Sequence, residues 1–176
     1  MFIELPVSDS DGRFTVDDVL SVEPFRRFRI ELHEGVLRRT PPPAWKHQKV
    51  ASRLERYFED AGRDACRENG IRFNDYNYRV PDVMVLKPDA HVDEDRSVHP
   101  PWIFEIVIEV VSPSSVDDDE LVKSKIYAKA GISEYWRVEL RAEGYVVLID
   151  HLEGGRYVPA REVPLDELLA GGGGLG

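Results

Sequence analysis

Cysteine is nearly absent. Cys66 stands alone in 176 residues, so no internal disulfide can form, and no Cys/His cluster suggests structural zinc. Long apolar runs are missing too: none approaches the roughly 20 residues needed to span a bilayer as a helix. The opening MFIELPVSDSDG lacks the basic patch and apolar stretch of a secretory signal, so the expected location is the cytoplasm and no membrane partner is expected. Positive charge is scarce: 23 basic residues face 33 acidic ones, a formal net charge of -10. That excludes a sequence-independent nucleic-acid coat protein, which needs a broadly basic surface. It leaves open a site whose own carboxylates hold a metal while a local basic rim contacts phosphate.

What is present is ordinary for a globular chain, with 42% hydrophobic and 32% charged residues. The length suits one domain with a real core. There is no internal repeat and no inter-domain linker. Residues 1–170 are therefore expected to form a single domain, and 171–176, opening with Gly171-Gly172-Gly173-Gly174, a flexible tail.

Thr15 caps a short helix over residues 15–21. In residues 26–39, Phe28, Ile30 and Leu32 alternate with Arg27, Arg29 and Glu31, and His33-Glu34-Gly35 supplies a turn, which predicts a hairpin. Pro41, Pro42 and Pro43 end it. Val50, Leu54, Phe58 and Ala61 then recur at helical spacing, predicting a helix over 46–66. Strands are expected at 71–78 and 82–86, followed by a polar loop. The run 102–111 is apolar on both faces apart from Glu105 and Glu109, the pattern of a central, doubly covered strand. Ser112-Pro113-Ser114-Ser115 breaks the strand, and Asp117 to Glu120 suit the positive end of a helix dipole. That helix runs to about Ala130 and stops at Gly131. Strands at 134–140, 145–150 and 156–158 and a short helix at 165–169 complete an α/β fold with a mixed central β-sheet flanked by helices.

Two carboxylates stand out by their surroundings. Asp82 follows Pro81 at the start of one strand, and Glu109 lies near the end of the most apolar one. A carboxylate in such a strand is costly unless it is paired or holds a metal. If the two strands pair, Asp82 and Glu109 meet and offer oxygen ligands to Mg²⁺. The bland alternatives are a Pro-Asp turn and a buried Glu109 paired with an arginine. Glu105, on the face of Glu109 by simple alternation, reads as a structural or rim residue.

Pro81-Asp82 followed by Glu109 resembles the pattern of the PD-(D/E)XK nuclease superfamily. A longer set narrows the resemblance: Glu31-Leu32 with Gly35, His47-Gln48, Pro81-Asp82-Val83, Ile108 to Ser114, Lys123 with Tyr127, and Gly131-Ile132 with Glu134-Tyr135-Trp136. In this order and spacing the chain resembles the Uma-two family of restriction-endonuclease-like proteins over roughly residues 15–150. The resemblance implies a restriction-endonuclease-like core that hydrolyses DNA phosphodiester bonds with Mg²⁺ or Mn²⁺, with Asp82 and Glu109 as the metal carboxylates. It also implies a homodimer, since cutting two strands takes two sites. The superfamily lysine would stand two residues after Glu109, where this chain has Val111. The resemblance moves that role to Lys123 in the following helix, with Lys125 as the alternative, and adds Glu31 from the hairpin as an acidic partner.

Glu31, by alternation, faces either solvent or a cleft. His47 shares a helix face with Val50 and Leu54, so it reads as core or as support for the site, with Gln48 beside it. Trp136 and Tyr135 read as core. Cys66, at a helix end without an activating partner, is no nucleophile, and no organic cofactor is implied. Arg26, Arg27, Arg29, Arg38, Arg39, Lys46, Lys49 and Arg53 cluster in the N-terminal third and are the candidates for a surface that contacts phosphate. The rival reading is a nuclease fold kept as a catalytically inactive binding or regulatory module. A nuclease for RNA or a small nucleotide is a third, marked by a narrow closed pocket.

Overall fold

A computed structural model describes residues 9–21, 29–40, 42–111 and 117–171. The first element is helix α1 (Val16–Ser21). Thr15 Oγ1 accepts from the backbone N–H of Asp18, and Asp18 Oδ2 accepts from that of Thr15, a reciprocal cap. Strands β1 (Arg29–His33) and β2 (Val36–Thr40) form the expected hairpin. Glu34 and Gly35 both have positive φ, 50° and 80°, which matches the twist a two-residue hairpin turn needs.

Helix α2 (Trp45–Asp60) buries Val50, Leu54 and Phe58 as its periodicity predicts. It ends before the expected residue 66, because Gly62 takes φ of 74° and turns its N–H back to Glu59. Cys66 therefore lies not at a helix end but in strand β3 (Ala65–Cys66). Burial pushes its thiol pKa up, away from nucleophilic use. The single strand expected over 71–78 is a hairpin, β4 (Gly70–Asn74) and β5 (Asn77–Arg79), turning at Asp75 and Tyr76. Strand β6 (Val83–Leu86) follows, and the polar loop holds a short strand, β7 (Val98–His99).

The apolar run begins with a 3-10 turn (Pro101–Ile103) and continues as β8 (Phe104–Val110). Helix α3 (Asp117–Lys129) and strand β9 (Glu134–Arg141) come next, with β9 parallel to β8. That is a crossover whose helix lies over the sheet. The capping segment 112–115 lies outside the described residues, as do Arg26, Arg27 and the tail from 172 onward. Strands β10 (Gly144–Glu153) and β11 (Arg156–Pro164) form a long hairpin, well past the expected end at 158, and α4 (Leu165–Ala170) closes the chain.

Two sheets result where one was expected. The larger has the order β11-β10-β9-β8-β6-β3 and is mixed, its one parallel pair being β8 with β9. The smaller has the order β2-β1-β5-β4-β7. On one side of the larger sheet, α2 and α4 pack through Leu54, Phe58 and Leu168 onto Val83, Ile108 and Trp136. On its other side Tyr127 of α3 and Ile71 of the smaller sheet meet Met84, Val107 and Tyr135. A third cluster joins α1 to Ile30, Leu32 and Tyr78 of the smaller sheet. Trp136 and Tyr135 are core, as read from the sequence. A bulge opposite Leu86 puts Phe104 with Val107 in the second cluster. Glu105 thereby leaves the alternation that linked it to Glu109 and pairs with Arg63. No helix among the described residues is long and apolar enough to cross a membrane.

The hairpin turn is a sensitive point. A Cβ on Gly35 would stand 2.6 Å from Arg13 Cβ, and its φ belongs to the left-handed region. Gly35→Ala should cost at least about 1–2 kcal/mol, read as a lower urea midpoint. An unchanged midpoint would show that the turn is not held in this conformation.

Candidate active site

Strand pairing builds the site. Strands β6 and β8 run antiparallel with Val83 opposite Ile108, and one step further along that register sets Asp82 against Glu109. Asp82 Oδ2 accepts the Val110 N–H at 2.7 Å, which ties the carboxylate to the neighbouring strand. His47, one turn into α2, brings Nε2 to 3.0 Å from the same oxygen. Arg29, first residue of β1, places Nη1 2.5 Å from Asp82 Oδ1. Burial works against the charge on Asp82, but His47 and Arg29 outweigh it and hold the pKa down at about 2. Asp82 is therefore ionised throughout the neutral range.

Glu109 meets α3. Tyr127 donates its hydroxyl to Oε1 at 2.7 Å, and Lys123, one turn earlier, brings Nζ to 3.2 Å from Oε2. Arg29 Nη2 lies 3.9 Å from that same Oε2. Burial raises the Glu109 pKa, Lys123 opposes the rise and the Asp82 charge adds to it. Tyr127 is buried, which keeps its phenol protonated well above the ordinary tyrosine range.

Glu31 resolves its ambiguity in favour of the interior. It is 3% exposed, against 6% for both Asp82 and Glu109. While Ile30 and Leu32 enter the third core cluster, Glu31 accepts the Val80 N–H at 3.0 Å and lies 4.0 Å from the buried Arg79. Its charge acts on Arg29 and on Glu109. Gln48 is exposed and shares with Arg29, His47, Arg67 and Asp82 the wall of a small open pocket. Lys125 is exposed on α3, two residues from Lys123. The structure thus brings Asp82, Glu109, Lys123 and His47 into contact, sets Glu31 close by, and leaves Gln48 and Lys125 at the periphery.

One residue of the cluster had another place in the sequence reading, and another had none. Arg29, grouped there with surface residues contacting phosphate, lies half-buried between the carboxylates. Burial opposes its charge, and Asp82 and Glu109 raise its pKa nonetheless. Its position was readable: alternation puts Arg29 on the strand face of Glu31. Arg79 is wholly buried, donating to the Leu32 carbonyl and meeting His33 Nδ1 at 2.9 Å, and nothing in the sequence around it marks that role. Arg38, Arg39, Lys46, Lys49 and Arg53 are exposed as expected.

Among the described residues no three His, Cys, Asp or Glu side chains converge as a self-sufficient metal cage. Mg²⁺ does not require one, because one or two carboxylates with water completing the shell suffice. Asp82 and Glu109 supply that hard-oxygen pair, and the space between them already accommodates a cationic group, the guanidinium of Arg29. The donor chemistry fits.

Fold and site together define an α/β protein of the restriction-endonuclease-like class, with two acidic residues at the junction of adjacent strands and a lysine on the next helix. The family model described as "Putative restriction endonuclease", Uma2, matches residues 16–173, and the chain belongs to this family. The chain is also similar to a crystal structure described as that of a putative nuclease belonging to DUF820 from Anabaena variabilis. The TM-score is 0.62 at 18% identity, covering 89% of this chain and 98% of that one, a likeness in fold. No curated protein matches the chain.

The depressed Asp82 pKa has a sign that can be checked. Its contribution to stability is full above pH about 4 and fades as pH falls toward about 2, a loss of about 2 kcal/mol. Glu109, raised by burial, acts in the opposite sense, so the comparison must isolate Asp82. Urea unfolding between pH about 5 and about 2 should show a shallower pH slope for Asp82→Asn than for the wild type. Parallel slopes would mean that Asp82 is not held ionised by His47 and Arg29.

Proposed function

We propose that the protein is a metal-dependent endonuclease that hydrolyses DNA phosphodiester bonds. The observation that carries this reading is the convergence of two buried carboxylates, Asp82 and Glu109, from adjacent strands, with Lys123 at 3.2 Å from Glu109. Asp82 and Glu109 would hold Mg²⁺ or Mn²⁺, which when bound lowers the pKa of water and neutralises charge on phosphate oxygens. The Lys123 ammonium faces the oxygens on which charge grows as water adds to phosphorus and the bond to the leaving oxygen breaks. His47 and the Val110 N–H fix the orientation of Asp82, and Tyr127 fixes that of Glu109. Glu31 adds negative potential that favours a cation in the cluster and helps position the attacking water.

The pocket beside Asp82 is walled in part by the exposed Gln48 and Glu68. It opens to solvent, as a polymer backbone requires and a small-nucleotide pocket does not. Lys46 and Lys49, exposed on the same helix as His47, are the candidates for phosphate contacts. The family resemblance supports a homodimer as the working unit, with one such site for each strand of a duplex. A second reading, a catalytically inactive binding or regulatory module, has one observation in its favour: Arg29 already stands between the two carboxylates and pairs with both.

Cleavage of supercoiled plasmid with Mg²⁺ or Mn²⁺ tests the first reading. Asp82→Ala and Glu109→Gln should abolish metal-dependent cutting, and Lys123→Ala should slow it by roughly 10²–10³-fold. Cutting that survives Glu109→Gln would refute this site. A folded wild type that cuts no nucleic acid with either metal would favour the inactive module.

A further inference from the structure

Arg29 is the member of the cluster to which the proposed chemistry gives no task. Among the described residues it alone pairs with both carboxylates, Nη1 at 2.5 Å from Asp82 and Nη2 at 3.9 Å from Glu109. The same Nη2 donates to the Val80 carbonyl. Its Nε is buried with no hydrogen-bond acceptor among the described residues, so the arginine is held by charge and incompletely satisfied. Its side chain remains 17% exposed, and it lines the open pocket that also borders His47, Gln48 and Arg67.

Charge arithmetic explains why a cation must be there. Asp82 and Glu109 face each other out of water, with the charge of Glu31 nearby. Lys123 answers Glu109 and His47 answers Asp82, but among the described residues Arg29 is the group that bridges the two carboxylates and offsets their mutual repulsion. A guanidinium and a divalent cation cannot both occupy the space between them, since two positive groups in contact in a partly buried site repel strongly. The planar fork of an arginine lets it bridge two carboxylates in one position and a phosphate in another.

The geometry points to Arg29 as an exchangeable counter-ion, holding the place between Asp82 and Glu109 until a divalent cation takes it and then turning into the adjoining pocket to meet a phosphate of the substrate. This rests on the reading that Asp82 and Glu109 bind such a cation. The unsatisfied Nε lowers the cost of leaving, because no hydrogen bond is lost there. Binding of metal is then weakened by the rarity of the state in which Arg29 has moved aside. Since the vacated arginine faces the substrate pocket, metal and phosphate would bind cooperatively.

Calorimetric titration of Mn²⁺ into the full-length wild type and Arg29→Gln tests the exchange, with thermal melting to confirm that the variant is folded. If the displaced state is a minor one, of about 0.1–10% population, Arg29→Gln should bind Mn²⁺ about ten- to a thousandfold more tightly. Equal or weaker binding by the variant overturns the exchange and leaves the metal reading standing. No binding by either protein overturns both. Should Arg29→Gln fail to fold, the wild type answers alone. In ¹⁵N-edited spectra, saturating Mg²⁺ should move the Arg29 Nε–H signal and speed its exchange with solvent. A signal unchanged at saturation overturns the exchange.

Discussion

Removing a carboxylate from water costs several kcal/mol unless hydrogen bonds or opposite charge replace the lost solvation. This protein does so three times in one small region, with Glu31, Asp82 and Glu109 all buried. Each is answered by a different device. Asp82 has a backbone N–H, an imidazole and a guanidinium. Glu109 has a phenol and an ammonium from one helix. Glu31 has a backbone N–H and the wholly buried Arg79. The elements that deliver these partners must all dock for the carboxylates to be tolerable, so the compensation of buried charge constrains the whole arrangement.

The two sheets divide that work. The larger supplies Asp82 and Glu109 through the register of β6 on β8. The smaller supplies Arg29 and Glu31 from alternate positions on β1, whose opposite face packs Ile30 and Leu32 against α1. Helices α2 and α3 lie over the two sides of the larger sheet and send His47 and Lys123 to the carboxylates carried by its neighbouring strands β6 and β8. No single element holds two members of the Asp82–Glu109–Lys123 set. The site is thus a product of tertiary docking, and a hairpin as remote as Glu34-Gly35 acts on it through the placement of β1.

Much of this was legible in the residues. The apolar run around Glu109 marked the central strand, the 3.6-residue periodicity marked α2, and Asp82 could be matched to Glu109 because the strands bearing them are consecutive apart from one polar loop. Alternation alone put Glu31 opposite Ile30 and Leu32. What escaped depended on non-local facts. The division into two sheets follows from a turn at Asp75 and Tyr76 inside what looked like one strand. The bulge opposite Leu86 broke the alternation that linked Glu105 to Glu109. Gly62 ended α2 early although Ala61 still kept the helical period. Arg29 was misplaced for a different reason: composition groups an arginine with its basic neighbours, whereas the pleat separates them face by face.

Lys123 and Tyr127 reach Glu109 from a helix, not from the strand that carries it. Along one strand, the separation of two side chains on the same face is fixed by the pleat at roughly 7 Å. Between a helix and a sheet it is set by whatever lies in the seam. Here the seam contains Tyr135, Ile132 and Phe73. Packed side chains outside the charged set thereby set the gap between ammonium and carboxylate, and a methylene added or removed there would retune the electrostatics without altering a charged group.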